Sequence, residues 1–183
     1  MLLLVAVPAA TAGGANNVAI ATATTDGQST IRSSLQIAPF GGDAADSSNL
    51  ALATASGCTG CSTTAVAVQA VFLTGDPDIV TPANVASATN SGCNSCTSYA
   101  YAWQYVLSTP GPVRLSPTGV TEVEALRAAI VSAASAGLPP DQLTARLDAL
   151  TAEFKAVIDE QLVQAGMGVD GVIERQVETP PSQ

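Results

Sequence analysis

The sequence predicts an α+β chain in which an Ala-rich β structure of repeated segments precedes a C-terminal helical hairpin. Three observations carry this expectation. A segment with a side-chain period of two recurs along the first half. The period changes to about 3.6 after Pro117. The charge changes with it: residues 1–120 hold five acids and two bases, and residues 121–183 hold ten acids and four bases.

The 183 residues suit one domain, or a domain with an appendage. The opening, Met1 to Asn17, resembles the end of a secretory signal. Leu2–Val7 is a short apolar run, and Ala10-Thr11-Ala12 fits a small-x-small cleavage site. Residues 1–15 are therefore read as a signal-peptide remnant and the chain as secreted or attached to the cell surface, hence extracytoplasmic. No run approaches the ~18 apolar residues of a transmembrane helix.

The β domain is placed at residues 16–112. "NVAIATAT" from Asn17, "NLALATAS" from Asn49 and "NVASATNS" from Asn84 align as the openings of three copies. Cys58 and Cys93 follow at equal distance in the second and third copies, then Cys61 and Cys96, then Ala-x-Ala-x-Gln ending at Gln69 and Gln104. In the first copy Asp26-Gly27-Gln28-Ser29 replaces the cysteine turn, and Ile37 falls where the others have glutamine. Alanine favours helices, but strict alternation, Thr and Val content and Gly-bounded turns outweigh that here.

Folding each copy about its cysteine turn brings Ala53 to Ala65, Ala51 to Ala67 and Asn49 to Gln69. In the third copy it brings Ala88 to Ala100, Ala86 to Ala102 and Asn84 to Gln104. The unit is then either a hairpin, stacked on its neighbours, or two strands facing each other across a thin layer, as in a small β-roll or solenoid. Asn49, Gln69, Asn84 and Gln104 are read as structural amides that close the apolar layer. Tyr99, Tyr101, Trp103 and Tyr105 share the opposite face, as a candidate contact surface or as core beneath the helices. Asp76 and Asp78 flank Pro77 in a turn and are too few for a calcium cage. Ice binding through Thr22, Thr24 and Thr54 is discounted, because no regular outward threonine array is visible.

A helical hairpin is placed at residues 121–166. Leu126, Ala129, Ile130 and Ala133 form one stripe, Gly137 stops the first helix, and "LPPDQL" restarts the chain. Leu143, Leu147, Leu150, Phe154, Val157, Ile158 and Leu162 continue the stripe toward Gly166. Residues 167–183 are read as a flexible tail.

Composition narrows the chemistry. Net charge is −9, with pI about 4.1, and six bases are scattered singly, which disfavours nucleic acid as a partner. The expected partner is a protein or a cell-surface component. Histidine is absent, which excludes Ser-His-Asp and Cys-His triads and His-ligated metals, so the expectation is a non-enzymatic chain. The four cysteines, Cys58, Cys61, Cys93 and Cys96, are the feature with specific chemistry. Disulfides are the leading reading and no cofactor is expected with them; the alternative is one zinc ion on all four thiolates. A redox dithiol is third, since a strand rather than a helix follows each pair. In-register copies would set Cys58 beside Cys93 and Cys61 beside Cys96, at the ~4.8 Å strand spacing that a disulfide accepts. Each cross-copy bond closes a loop of about 35 residues, and the first to form is worth roughly 3.5–4 kcal/mol in the chain-entropy model. Bonds within each pair close far smaller loops and stabilise less.

The doubled pattern Asn-x-Ala-x-Ala, Cys-x-x-Cys-x-Thr-x-Ala-x-Ala-x-Gln, followed by helices, resembles the C-terminal extracytoplasmic region of actinobacterial chains labelled peptide zinc metalloprotease, and related standalone proteins. Cys58, Cys61, Thr63, Ala65, Ala67 and Gln69 fit the first unit; Cys93, Cys96, Ala100, Ala102 and Gln104 fit the second, with Ser98 in place of threonine. The resemblance covers about residues 16–166. It implies an extracytoplasmic accessory or standalone domain. The peptidase activity in that label is not implied, because this chain has no histidine for an HExxH site.

Overall fold

The computed structural model describes residues 15–41, 44–75, 77, 79–163 and 171–179. The signal-like segment, apart from Ala15, and the Asp76 and Asp78 positions lie outside them. The strands are β1 (Ala15–Ala23), β2 (Ser29–Gly41), β3 (Ala44–Ser56), β4 (Ser62–Thr74), β5 (Ile79–Ser91), β6 (Thr97–Thr109), β7 (Arg114–Leu115), β8 (Leu162–Val163) and β9 (Gly171–Glu178). The helices are α1 (Pro117–Ser135) and α2 (Pro140–Gln161).

Successive long strands alternate between two sheets. One sheet has the order β1-β3-β5 and the other β2-β4-β6-β9; β7 and β8 form a separate pair. Pairing among β1, β3 and β5, and among β2, β4 and β6, is parallel and matches equivalent residues: Asn17 with Asn49, Asn49 with Asn84, Gln69 with Gln104. The two halves of a copy therefore sit in different sheets and face each other. β3 hydrogen-bonds to β1 and β5, and not to β4 as a hairpin would require.

The facing surfaces meet through alanine. Ala19, Ala21, Ala51, Ala53 and Ala88 of the first sheet cluster with Ala65, Ala67, Ala100 and Ala102 of the second. This is the layer that the period of two anticipated. A side chain of one methyl group lets the two backbones come close, and it leaves no volume for anything larger.

The first copy differs from its expected alignment. β1 pairs with β3 at an offset of 32, but Gln36, not Ile37, stands opposite Gln69. Its turn is one residue shorter, so the period-two pattern resumes a residue early. With that shift Ser29 matches Ser62, Thr30 matches Thr63 and Leu35 matches Val68.

The second sheet is covered on its outer face by the hairpin. Val66, Val68, Phe72 and the aromatic row pack against Val123, Leu126 and Ile130 of α1 and Leu143, Leu147, Leu150, Phe154 and Ile158 of α2. Ser116 caps α1 by accepting the Gly119 N–H at 3.0 Å. Gly137, with φ of +63°, ends the turn after α1, as expected of a C-terminal glycine. α2 stops at Gln161 rather than running to Gly166, because Leu162 is already extended and pairs with Leu115.

Within the expected flexible tail, residues 171–178 form a strand, and 167–170 and 180–183 lie outside the described residues. β9 adds to the second sheet antiparallel to β6, with Tyr101 opposite Val177. Arg175 forks onto Asp148 of α2 at 2.6 and 3.0 Å, which ties β9 to the hairpin. Gln176 and Glu178 accept the β5 N–H groups of Ala86 and Ala88, at 3.3 and 3.0 Å. One strand thus ends both stacks, and it blunts an edge that would otherwise present unpaired N–H groups.

Among the described residues no helix covers the outer face of β1-β3-β5. Val18 and Ile20 are each 48% exposed there, and Val85 is 43% exposed. Thr22, Thr54 and Thr89 lie side by side as a single row on that face. The neighbouring row is Ile20, Leu52 and Ser87, so the threonines do not extend into an array. No helix among the described residues is long and apolar enough to cross a membrane.

Candidate functional site

The four cysteines occupy two stacked turns. Thr59 bridges Asn94 in parallel, so the turns keep the register of their strands. Asn94 donates its N–H to the Cys58 carbonyl at 3.1 Å, Gly60 to Asn94 at 2.8 Å, and Thr97 to Cys61 at 2.8 Å. The third position of each Cys-x-x-Cys is left-handed: Gly60 has φ of +65° and Ser95 +54°. Glycine adopts that conformation freely, whereas serine does so at a cost. The same backbone turn is therefore imposed twice, and it swings the second sulfur of each pair back toward the first.

The sulfur geometry corrects the expected cross-copy bonds. Cys58 is bonded to Cys61, with Sγ–Sγ 2.02 Å and Cα–Cα 6.3 Å. Cys93 and Cys96 are free thiols, the first half-buried and the second buried. Cys58 does lie beside Cys93, at 3.8 Å between sulfurs, and 3.9 Å from Cys96, but without a bond to either. The register brought Cys58 beside Cys93 as expected, whereas Cys96 lies against Cys58 rather than beside Cys61; the left-handed turn recurs at Gly60 and Ser95, and the first pair is the one that is joined.

Carbonyl groups surround these sulfurs. Cys96 Sγ lies 3.3 Å from the Cys58 carbonyl, and Cys61 Sγ lies 3.1 Å from that of Thr25. Burial raises the Cys96 thiol above its ordinary pKa, and the neighbouring Cys93 adds to the shift. Cys96 is held as a neutral thiol. In the first copy the Asp26 carboxylate accepts the Thr59 N–H at 2.7 Å, and Gln28 Oε1 accepts from Thr24 and Thr25 at 2.9 and 3.2 Å. Side-chain oxygens order the turn where that copy has no sulfur. Asp26 and Gln28 were legible only as non-cysteines in the sequence.

The structural amides form two rows that run along the stack. Asn17 donates to Asn49, and Asn49 to Asn84, both at 2.8 Å. Gln104 donates to Gln69 at 2.7 Å, and Gln69 to Gln36 at 2.8 Å. Of the two partners expected for these amides, each other or backbone, Asn49 and Gln69 do not pair, and bonds run instead to backbone and hydroxyl groups of the facing sheet. Asn49 Nδ2 reaches the Ala67 and Trp103 carbonyls at 3.0 and 3.1 Å, Asn84 Nδ2 reaches Ala102 at 3.2 Å, and Gln104 Nε2 reaches Ser47 Oγ at 3.2 Å. A carboxamide supplies both donors and acceptors, so each can serve its ladder and the opposite sheet together. The Ser34 hydroxyl closes the asparagine row by donating to Asn17 Oδ1 at 2.5 Å.

The aromatic row is core, not a contact face. Tyr99, Tyr101, Trp103 and Tyr105 are 5%, 0%, 4% and 2% exposed beneath the hairpin. Trp103 meets Phe154 edge-on, with ring centroids 5.9 Å apart. Each tyrosine hydroxyl reaches α2: Tyr99 to Thr144 at 2.9 Å, Tyr101 to Asp148 at 3.0 Å and Thr151 at 3.1 Å, Tyr105 to Asp159 at 2.9 Å. Helices need a wide apolar stripe opposite them, and the aromatics, with Leu107 on the same face of β6, supply it.

Burial has a consequence at high pH. It raises Tyr99 to about 12, and it lifts Tyr101 and Tyr105 further, with Asp148 and Asp159 adding to their shifts. These are all three tyrosines of the chain. The unfolded chain ionises near 10, so between 10 and about 12 it binds fewer protons than the folded one and stability falls as pH rises. Tyrosinate absorbance should therefore stay low above pH 10 and rise together with loss of the near-ultraviolet circular dichroism. A rise centred near 10 with the fold intact would contradict this burial.

No protein-family model, curated protein or solved structure matches this chain.

Proposed function

We propose that this chain is an extracytoplasmic, non-enzymatic structural or interaction domain, built as a short β-solenoid whose turns are tied by cysteine. The observation that carries the reading is where its polar and reactive groups go. The buried amides are engaged in ladders and in bonds between sheets, and the buried tyrosines anchor the helices. The cysteines sit in the turns that end the alanine layer, beside Ala23 and Ala55. Alanine burial returns much less free energy than leucine burial at ~25 cal/mol per Å², so a covalent bond and ladders supplement it. A bond of this kind persists in an oxidising compartment, which supports a place outside the cytoplasm.

A second reading, a four-cysteine zinc site, is favoured by one observation. The sulfurs of Cys58, Cys93 and Cys96 lie within 4.8 Å of one another. Two of their spacings are 3.8 and 3.9 Å, close to the ~3.8 Å edge of a tetrahedron with ~2.3 Å Zn–S bonds. Cys61 would be the fourth ligand once its bond to Cys58 was reduced. The two readings separate in one measurement on chain purified without reductant. Two alkylatable thiols and no bound metal are expected for the disulfide form. Four thiols protected by one equivalent of zinc would establish the metal site instead.

A further inference from the structure

We propose that the cysteine cluster is a thiol–disulfide exchange site, at which Cys93 attacks Cys58 and moves the bond from within one turn to between two turns. This rests on the disulfide reading above and goes beyond it, because the tie becomes mobile. Two thiols flank a single disulfide sulfur: Cys93 Sγ lies 3.8 Å and Cys96 Sγ 3.9 Å from Cys58 Sγ. They differ in exposure. Cys96 is fully buried, with its sulfur 3.3 Å from the Cys58 carbonyl, and burial keeps it protonated. Cys93 is half-buried, reachable from solvent and 3.8 Å from Cys58 Sγ, so it is the thiol placed to attack.

The step balances within the chain. The Cys93 thiolate forms a bond to Cys58 Sγ as the Cys58–Cys61 bond breaks. The electron pair leaves on Cys61 Sγ, which then takes a proton equivalent to the one Cys93 released. No external oxidant or reductant is needed, and the number of free thiols stays at two. The new thiol at Cys61 lies 3.1 Å from the Thr25 carbonyl, which is placed to accept its hydrogen. The product joins the second copy to the third across 35 residues, where the starting bond spanned 3. The longer loop constrains the unfolded chain more, so the exchanged form is the better clamp between copies.

The test uses native, air-purified chain. It is incubated at mildly alkaline pH, quenched in acid at intervals, alkylated and mapped by mass spectrometry. The expected result is a Cys58–Cys93 linked peptide with Cys61 alkylated, at a constant total of two thiols. Thiolate-driven exchange should quicken about tenfold per pH unit below the thiol pKa. A Cys58–Cys61 link alone at every time, with Cys93 and Cys96 alkylated, would overturn the exchange while leaving the disulfide reading intact. Four alkylated thiols would overturn both. A Cys58–Cys96 link in place of Cys58–Cys93 would overturn the assignment to Cys93, and Cys96→Ser, which leaves the proposed pair untouched, should not abolish the exchange.

Discussion

Asn49→Ala is expected to lower stability by about 3–5 kcal/mol, the cost of several buried groups losing partners at once. Asn49 is the middle rung of its ladder, 1% exposed. It accepts from Asn17 and donates to Asn84 Oδ1 and to the Ala67 and Trp103 carbonyls. Truncation removes a donor from three acceptors and an acceptor from Asn17. At about 1–3 kcal/mol for each buried group left unsatisfied, partial relaxation still leaves a large loss. Asn16→Ala provides the comparison. Asn16 is on the exposed face of the neighbouring strand β1, where its side chain accepts from the Ser48 hydroxyl at 2.7 Å. It should change stability by no more than about 0.5 kcal/mol. Urea denaturation of the two variants measures the contrast. Equal midpoints would mean that the ladder does not hold the sheets together.

Ala67→Leu should cost about 3 kcal/mol or more, at or beyond the upper end for overpacking. Ala67 is 0% exposed, and its neighbours in the layer are alanines from both sheets. The added carbons can be housed only by spreading the two sheets, which would stretch the Asn49 bond to the Ala67 carbonyl. Thr54→Leu places the same side chain on the outer face and should be nearly neutral. A stable Ala67→Leu chain with an unchanged urea midpoint would show that the layer has room to spare and that close approach of the sheets is not what selects alanine.

Both predictions concern features that local pattern exposed. Alternation put Ala51 and Ala53 on one face of their strand and Ala65 and Ala67 on one face of theirs; that these faces meet between two sheets, rather than within a hairpin, was decided by the parallel stacking. The asparagine and glutamine at the ends of the layer were legible for the same reason, since an amide on an apolar face has to be satisfied. Its partners were not legible. Mirror symmetry within a copy left Asn49 to meet Gln69 or backbone groups; the backbone bonds form, and parallel stacking adds a ladder of like amides from copy to copy. The missing glutamine of the first copy was hidden by a single residue. Aligning copies without gaps puts Ile37 opposite Gln69, and only the shorter turn at Gly27 restores Gln36 to the row.

The cysteines divide in the same way. That Cys58 would approach Cys93 follows from repeat spacing and parallel register, both written in the chain. That Cys58 instead joins Cys61 was not written in the spacing: both pairs share the left-handed turn, at Gly60 and Ser95, and only the first is bonded. The aromatic row shows the limit most plainly. Tyr99, Tyr101, Trp103 and Tyr105 alternate identically whether they meet solvent, a partner or a helix. The docking of α1 and α2 settles the question, and so does β9, whose Arg175 shares Asp148 with the Tyr101 hydroxyl. Period, turns and the near-absence of bulky side chains in the layer are properties of neighbours along the chain, so reading residues in order recovers strands, helices and the alanine seam. Which surface is covered, which sulfurs bond and which amides meet are contests between groups far apart in sequence, and those are decided where the sheets and helices come together.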